Sequence, residues 1–287
     1  MRANWPRVTD ANFDPVVELV ELVELGLERR EARWLVEEFL PGGDRDALSD
    51  LRVAAERRLN GEPLQYVIGH WPFRSLDLDV DARVLIPRPE TEELVDVALN
   101  EFATSDVLAP LVVDLGCGSG AIGLALLDEL RARGVSATLV ALDESVEALS
   151  VARINARKHD LLAVSFVESS WFENLDPSLR GRVDMVVANP PYVGASEMAD
   201  LDPVLRREPR GALVAPDGNG VVGFADLDVI VRGAMTWLRP GGALVMEHGE
   251  KHRPAVLALA HECGYVYVHD FDDLAGRPRI LVAKRPR

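Results

Sequence analysis

The sequence predicts an open, mostly parallel α/β sheet with an antiparallel edge, preceded by a small helical unit. Three observations predict it. Short apolar segments, "LVVDL" (111–115), "TLVALD" (138–143), "AVSFV" (163–167), "DMVVAN" (184–189) and "GALVME" (242–247), are β-rich and hydrophobic on both faces, as strands of a covered parallel sheet are. Helical patterns at 120–133, 145–158 and 221–238 separate most of them, and another at 253–263 follows the last. Two late strands, "YVYVHDF" and "RILVAK", are joined only by "DDLAGRP", which is too short for a crossover helix, so they should pair antiparallel.

Towards the amino terminus, apolar residues recur at helical spacing from Pro15 to about Leu40, with Gly26 marking a break and Pro41-Gly42-Gly43 ending the run. A second helical stretch, "DALSDLRVAAERRL" (46–59), stops at Asn60-Gly61. Residues 1–62 therefore read as a helical domain. In residues 63–87 the period changes: Leu76, Leu78 and Val80 alternate with Ser75, Asp77, Asp79 and Asp81, the pattern of a half-buried strand in a β-hairpin connector. Residues 88–287 form the main domain.

With 287 residues, 48% of them hydrophobic, the chain can bury a substantial core. Acidic side chains outnumber basic ones 47 to 31, and the formal charge of −16 disfavours nucleic acid as a direct partner, because such binding rests on phosphate neutralisation. Cys117 and Cys263 show no paired spacing, so neither a disulfide framework nor a zinc knuckle is expected. "MRANWPRVTDANFDP" has no signal-peptide run and no stretch is long enough to span a bilayer; the expectation is a cytoplasmic protein without a membrane partner.

Directly after the first strand comes "DLGCGSGAIG", followed at once by a helix. Gly116, Gly118 and Gly120 let the backbone turn tightly and approach a ligand, and the helix amides favour an anionic group. Asp143 ends the second strand and would hold ribose hydroxyls over this loop. A nicotinamide or flavin dinucleotide shares these features, since the string from Gly118 to Gly123 also matches GxGxxG. Asp114, two residues before the first of three alternating glycines, makes the loop resemble the first motif of class I S-adenosylmethionine-dependent methyltransferases, with their Rossmann-like sheet. Cys117 reads as a small packing residue with only its amide of interest.

The strand at 184–189 breaks on a polar amide, Asn189, and runs into Pro190, Pro191 and Tyr192. If this strand lies beside the first, Asn189 reaches the same crevice as the glycine loop. Pro191 restricts Pro190 to an extended backbone, so the Asn189 side-chain oxygen and the Pro190 carbonyl form a fixed pair of acceptors, while Tyr192 offers a flat face. Two acceptors suit a planar –NH2 group whose nitrogen must pyramidalise to attack a methyl carbon. His248 and His252, four apart around Gly249, lack an evident third ligand and read as solvated or loop-capping rather than metal-binding; no metal site is expected.

Taken with "GEPLQYVIG" (61–69), "VLIPRPETEELV" (84–95), "EPRGAL" (208–213) and "DLAGRPR" (273–279), these motifs make the chain resemble the bacterial release-factor glutamine methyltransferases, the PrmC/HemK family, over most of residues 17–284. The resemblance implies methylation of the glutamine side-chain amide in the Gly-Gly-Gln loop of class I peptide chain release factors, with S-adenosylmethionine as cofactor. It further implies that Gly116, Cys117, Gly118, Ser119 and Gly120 line the methionine end, Asp143 the ribose and Trp171 the adenine. Asn189, Pro190, Pro191 and Tyr192 would hold the glutamine, Arg88 and Glu90 would lie in a wall over the cofactor pocket, and the helical domain would engage the release factor's body. Ser170 replaces the aspartate usual before the Trp-Phe pair, and His252 stands where a glutamine is common. A ribosomal-protein glutamine, an adenine amino group in nucleic acid and a non-catalytic scaffold are the alternatives.

Overall fold

The computed structural model describes residues 15–41, 47–103 and 107–287. The expected helix stop at Gly42-Gly43 and the start of the next helix at Asp46 lie outside them. The chain divides into two compact units, residues 1–70 with 202–207, and residues 71–201 with 208–287.

Helices α1 (Pro15–Glu24), α2 (Arg29–Phe39), α3 (Leu48–Leu59) and α4 (Leu64–Ile68) belong to the first unit. Leu22, Leu35, Leu51, Leu64 and Val67 share its buried core. Arg58 of α3 and Glu31 of α2 pair at 2.8 Å. The short α4 falls inside the stretch expected as a hairpin connector. Leu64 and Val67, three apart, face the helical core, and Gly69 closes the turn at φ 92° with its N–H on the Gln65 carbonyl, 2.8 Å away.

In the second unit, which takes up β1 (His70–Phe73) from Trp71 onward, the hairpin of β1 and β2 (Leu76–Asp79) precedes α5 (Pro89–Ala103). There follow β3 (Leu111–Leu115), α6 (Ala121–Ala132), β4 (Thr138–Asp143), α7 (Val146–Lys158), β5 (Val164–Glu168), β6 (Val183–Ala188) and the two-residue strands β7 (Val193–Gly194) and β8 (Val214–Ala215). The chain continues through α8 (Ala225–Trp237), β9 (Leu238–Glu247), α9 (Arg253–Glu262), β10 (Val266–Asp272) and β11 (Pro278–Lys284). The main sheet has the order β10-β11-β9-β6-β3-β4-β5; β10 and β11 pair antiparallel with each other and β11 antiparallel with β9, while the rest run parallel. Leu94 and Leu99 of α5, Leu124 of α6 and Leu149 of α7 cover one face; Leu227 and Ile230 of α8 and Val256 of α9 cover the other. The hairpin residues Phe73, Leu76 and Leu78 are part of the first of these cores, so the hairpin is an integral wall of this unit rather than a tether.

Strand order reverses between β3 and β6: from β3 the chain winds outward through β4 and β5, then returns to its other side. A crevice opens beyond the carboxyl ends at such a point. One register row, Leu142, Leu115, Ala188 and Met246, crosses the four strands there. The next residues are Asp143, Gly116, Asn189 and Glu247.

Asn155 of α7, fully buried, ties the hairpin to the glycine loop. Its oxygen accepts the Asp79 N–H at 2.7 Å, and its amide donates to the Asp79 carbonyl at 3.1 Å and the Ser119 carbonyl at 2.9 Å. Asn155→Ala strands these buried groups and is expected to destabilise the unit by about 2–4 kcal/mol, read as a lowered urea midpoint at unchanged slope.

Candidate active site

A cavity of about 510 Å3 lies over the carboxyl edge, a volume typical of small-molecule sites. Gly116, Gly118, Asp143, Trp171, Asn189, Pro190 and Pro191 all line it. The remaining expected residues do not. Cys117 is buried in the core beneath the loop, with its N–H on the Leu142 carbonyl (2.9 Å), Ser119 is buried, and Gly120 donates to the Cys117 carbonyl at 2.7 Å. The loop turns alternate residues away from the cavity. Burial pushes the Cys117 thiol well up, so it stays protonated.

Each glycine has its own reason. Gly118 sits at φ 54° with open space where a Cβ would project, so the left-handed backbone and the approach of a ligand are what it allows. A Cβ on Gly120 would come within 2.7 Å of the Leu124 side chain, so that glycine serves packing of the loop on α6. The loop amides do not all wait for an anion. Gly118 N–H donates to Asp143 Oδ2 at 2.8 Å, and Gly123 N–H donates to Asp114 Oδ2 at 3.0 Å.

Asp143 Oδ1 accepts the Ser145 N–H at 2.9 Å, leaving one lone pair on each oxygen for other donors. Burial raises its pKa, opposed by the Ser145 and Gly118 N–H groups. Trp171 adopts φ 46°, uncommon for a bulky residue, and its indole N–H donates to Asp226 Oδ1 at 3.1 Å. Asp226, on the first turn of α8, lines the cavity and was missed in the sequence. Ser170 lines the same cavity; burial raises the Asp226 pKa, with the indole bond opposing.

Arg83, Val84 and Leu85 form the cavity wall before α5, whereas Arg88 and Glu90 do not line it. Arg88 pairs with buried Glu208 at 2.5 Å and Glu90 with Arg277 at 3.4 Å. Glu208 also accepts the Ile86 N–H at 3.0 Å, joining the "IPRP" and "EPRG" segments.

Asn189 Nδ2 donates to Thr91 Oγ1 at 3.1 Å, and Thr91 Oγ1 donates to Glu247 Oε2 at 2.8 Å. Tyr192 lies on the far side of the Asn-Pro-Pro turn and lines a second cavity of about 660 Å3 with Gly249, His252 and Arg279. Its hydroxyl donates to Glu247 Oε1 at 3.2 Å and accepts from Arg279 at 3.2 Å. Burial raises the Tyr192 pKa, and Glu247 adds to it; burial also raises that of Glu247, opposed by Thr91. His248 and His252, expected as solvated or loop-capping, are both buried: His248 bonds Asp270 at 2.7 Å and His252 the Val222 carbonyl at 2.8 Å. Among the described residues, no cluster suited to a metal ion occurs and no helix is long and apolar enough to cross a membrane.

The cavity sets three carboxylates, Asp143, Glu144 and Asp226, against one guanidinium, Arg83. That balance suits a cationic ligand and opposes a dinucleotide's pyrophosphate. A sulfonium nucleoside fits: open cradle at Gly118, free acceptors on Asp143 and Asp226, an indole beside them.

Residues 111–268 match the family model of a methyltransferase domain. Fold and site together define a class I S-adenosylmethionine-dependent methyltransferase. The chain is 42% identical to the release factor glutamine methyltransferase of Burkholderia pseudomallei over 84% of its own length and 83% of that protein's. It is 39% identical to the Xylella fastidiosa (strain 9a5c) protein of the same name, over 84% and 82%. A T. thermophilus 16S rRNA methyltransferase (RsmC), solved with AdoMet and guanosine, shares the fold at 16% identity, with a TM-score of 0.53 over 75% of this chain and 49% of that one. This chain belongs to the release factor glutamine methyltransferase family.

Asp114 lies fully buried beneath the glycine loop, and its Oδ1 has no hydrogen-bond partner among the described residues. Burial pushes its pKa from 3.8 up to about 7, opposed by the Gly123 N–H and assisted by Asp143. Its contribution to stability is full below about pH 4 and is lost as pH rises through about 7, where the carboxyl must ionise in the folded state. In urea titrations, the stability of the wild type relative to Asp114→Asn should therefore fall between pH 4 and 7 and level off above.

Proposed function

We propose that the enzyme transfers a methyl group from S-adenosylmethionine to the side-chain amide nitrogen of a glutamine, the one in the Gly-Gly-Gln loop of class I peptide chain release factors. Family membership supports the substrate. The observation that carries the chemistry is that Asn189 and Pro190 share one cavity with Gly116, Gly118 and Asp143. A planar amide held by the first pair then meets a methyl donor held by the others.

When bound, S-adenosylmethionine supplies an electrophilic methyl carbon on a sulfonium. In this reading Gly116 and Gly118 admit its methionine end, Asp143 accepts from the ribose hydroxyls, and Trp171 with Asp226 receives the adenine. Cys117, Ser119 and Gly120 act from beneath, by shaping the loop. Asn189 Oδ1 and the Pro190 carbonyl accept the two hydrogens of the substrate –NH2, which favours a pyramidal nitrogen and directs its lone pair. Pro191 stiffens that pair of acceptors. Tyr192 keeps its proton, because burial and Glu247 raise its pKa, so it acts as a wall of the second cavity and not as a base. No strong base would be needed: the new N–C bond would form as the S–CH3 bond breaks and sulfur leaves as a neutral thioether, and the N-methylated amide cation is acidic enough to release its proton to water. Alignment supplies the remaining acceleration. The helical unit is proposed to engage the body of the release factor.

With labelled S-adenosylmethionine, the purified protein should methylate a class I release factor, and replacing the loop glutamine should abolish incorporation. Labelling of DNA, RNA or a ribosomal protein with none on the release factor overturns the assignment. Asn189→Ala is expected to bind cofactor normally in calorimetry while kcat drops by about 100- to 1000-fold, the scale of losing one transition-state hydrogen-bonding group.

A further inference from the structure

A primary amide is nearly symmetric in shape. Rotating the Asn189 carboxamide by half a turn would present two N–H donors to a substrate –NH2 where an acceptor is needed. The strand end alone does not choose between these orientations. A proton count along the neighbouring hydrogen bonds does.

Thr91, in the first turn of α5, and Glu247, at the end of β9, are both buried. The Thr91 hydroxyl has a single proton. Glu247 Oε2, 2.8 Å away, can only accept while ionised, so that proton goes to it. Thr91 Oγ1 is then left as an acceptor for its other neighbour, Asn189 Nδ2, at 3.1 Å. On the opposite oxygen the count is equally determined: Arg279 can only donate, Tyr192 accepts from it at 3.2 Å and passes its own proton to Glu247 Oε1 at 3.2 Å. One carboxylate therefore sets the direction of both chains. Sheet register makes the arrangement possible, since Ala188 and Met246 are paired across β6 and β9 and the next residues are Asn189 and Glu247.

We infer that Thr91, held by Glu247, is a positioning residue that locks the Asn189 carboxamide with its nitrogen turned inward and its oxygen turned to the substrate. The inference rests on the amide-methylation reading for its kinetic consequence, but not for its structural one. Glu247 does not touch the reacting atoms; it acts through Thr91 on Asn189 and directly on the Tyr192 hydroxyl.

The test compares Thr91→Val, which keeps the shape and removes the hydroxyl, with Thr91→Ser, which keeps the hydroxyl. Both are first matched to wild type in thermal unfolding and in S-adenosylmethionine binding by calorimetry. With release factor as substrate, Thr91→Val should lose about 10- to 100-fold in kcat at nearly unchanged KM, as misorientation of a reacting partner does, while Thr91→Ser stays within about threefold of wild type. Wild-type-like turnover in Thr91→Val, equal losses in the two variants, or a change confined to KM overturns the inference. A readout independent of substrate separates this from failure of the function assignment. In protein labelled with 15N-asparagine, the Asn189 side-chain amide, identified by its disappearance in Asn189→Ala, should exchange slowly with solvent in wild type and Thr91→Ser and at least tenfold faster in Thr91→Val. Equal exchange in all three overturns the lock, whatever the substrate proves to be.

Discussion

Everything at this site depends on four parallel strands ending in step. The row Leu142, Leu115, Ala188 and Met246 is a line of buried apolar side chains held in register by the ladders of β4, β3, β6 and β9. One residue further along, the ladders that join these four strands to one another end, and there the chain carries Asp143, Gly116, Asn189 and Glu247, of which Asp143 and Glu247 keep only their outer neighbours Glu168 and Ile280. A slip of one residue in any ladder would turn its side chains to the opposite face and scatter the four. The apolar cores on both faces thus do more than stabilise the unit. By fixing register they fix the spacing between a carboxylate, a glycine turn, an amide and a second carboxylate.

Charge at that edge is managed by burial and by backbone donors. Asp143 takes the Gly118 and Ser145 N–H groups, Asp114 the Gly123 N–H in the first turn of α6, Asp226 the Trp171 indole, and Glu247 two hydroxyls. Loop amides that a phosphate would require are in part already spent on these carboxylates. The cavity is consequently acidic where a dinucleotide site would be electropositive, and a sulfonium cation is the ligand that benefits. The distinction is electrostatic; the glycine spacing alone is shared by both classes.

Much of this was legible in the sequence because a doubly covered parallel sheet leaves a strong signature. The apolar runs at 111–115 and 138–143 became β3 and β4 with the same bounds, and the short "DDLAGRP" connection joins an antiparallel pair. Local pattern failed where an element's partners are distant in sequence. Residues 64–68 form a helix because Leu64 and Val67 find the helical core, which a strand-like run of apolar residues does not reveal. Asp226 and Trp171 are 55 positions apart, and Thr91 and Glu247 are 156 apart; only the folded sheet brings them together. Likewise Cys117, Ser119 and Gly120 share the glycine motif with Gly116 and Gly118, yet the positive φ at alternate glycines turns them under the loop.

The two cavities on either side of the Asn-Pro-Pro-Tyr turn give the proposed reaction its direction. Asn189, Pro190 and Pro191 line the first and Tyr192 the second, so in the proposed reaction the turn would stand between the donor and the side from which the acceptor comes. The two prolines carry no N–H to continue a ladder, so the strand ends there, and in the proposed reaction the Pro190 carbonyl serves the substrate. Such a device needs no titrating group at the point of transfer, and the residues that could titrate there are held out of use: Tyr192 is kept protonated and Glu247 is occupied on both oxygens. What the protein supplies is orientation. In that proposal the carboxylate that does not meet the substrate, Glu247, matters as much as the amide that does, Asn189.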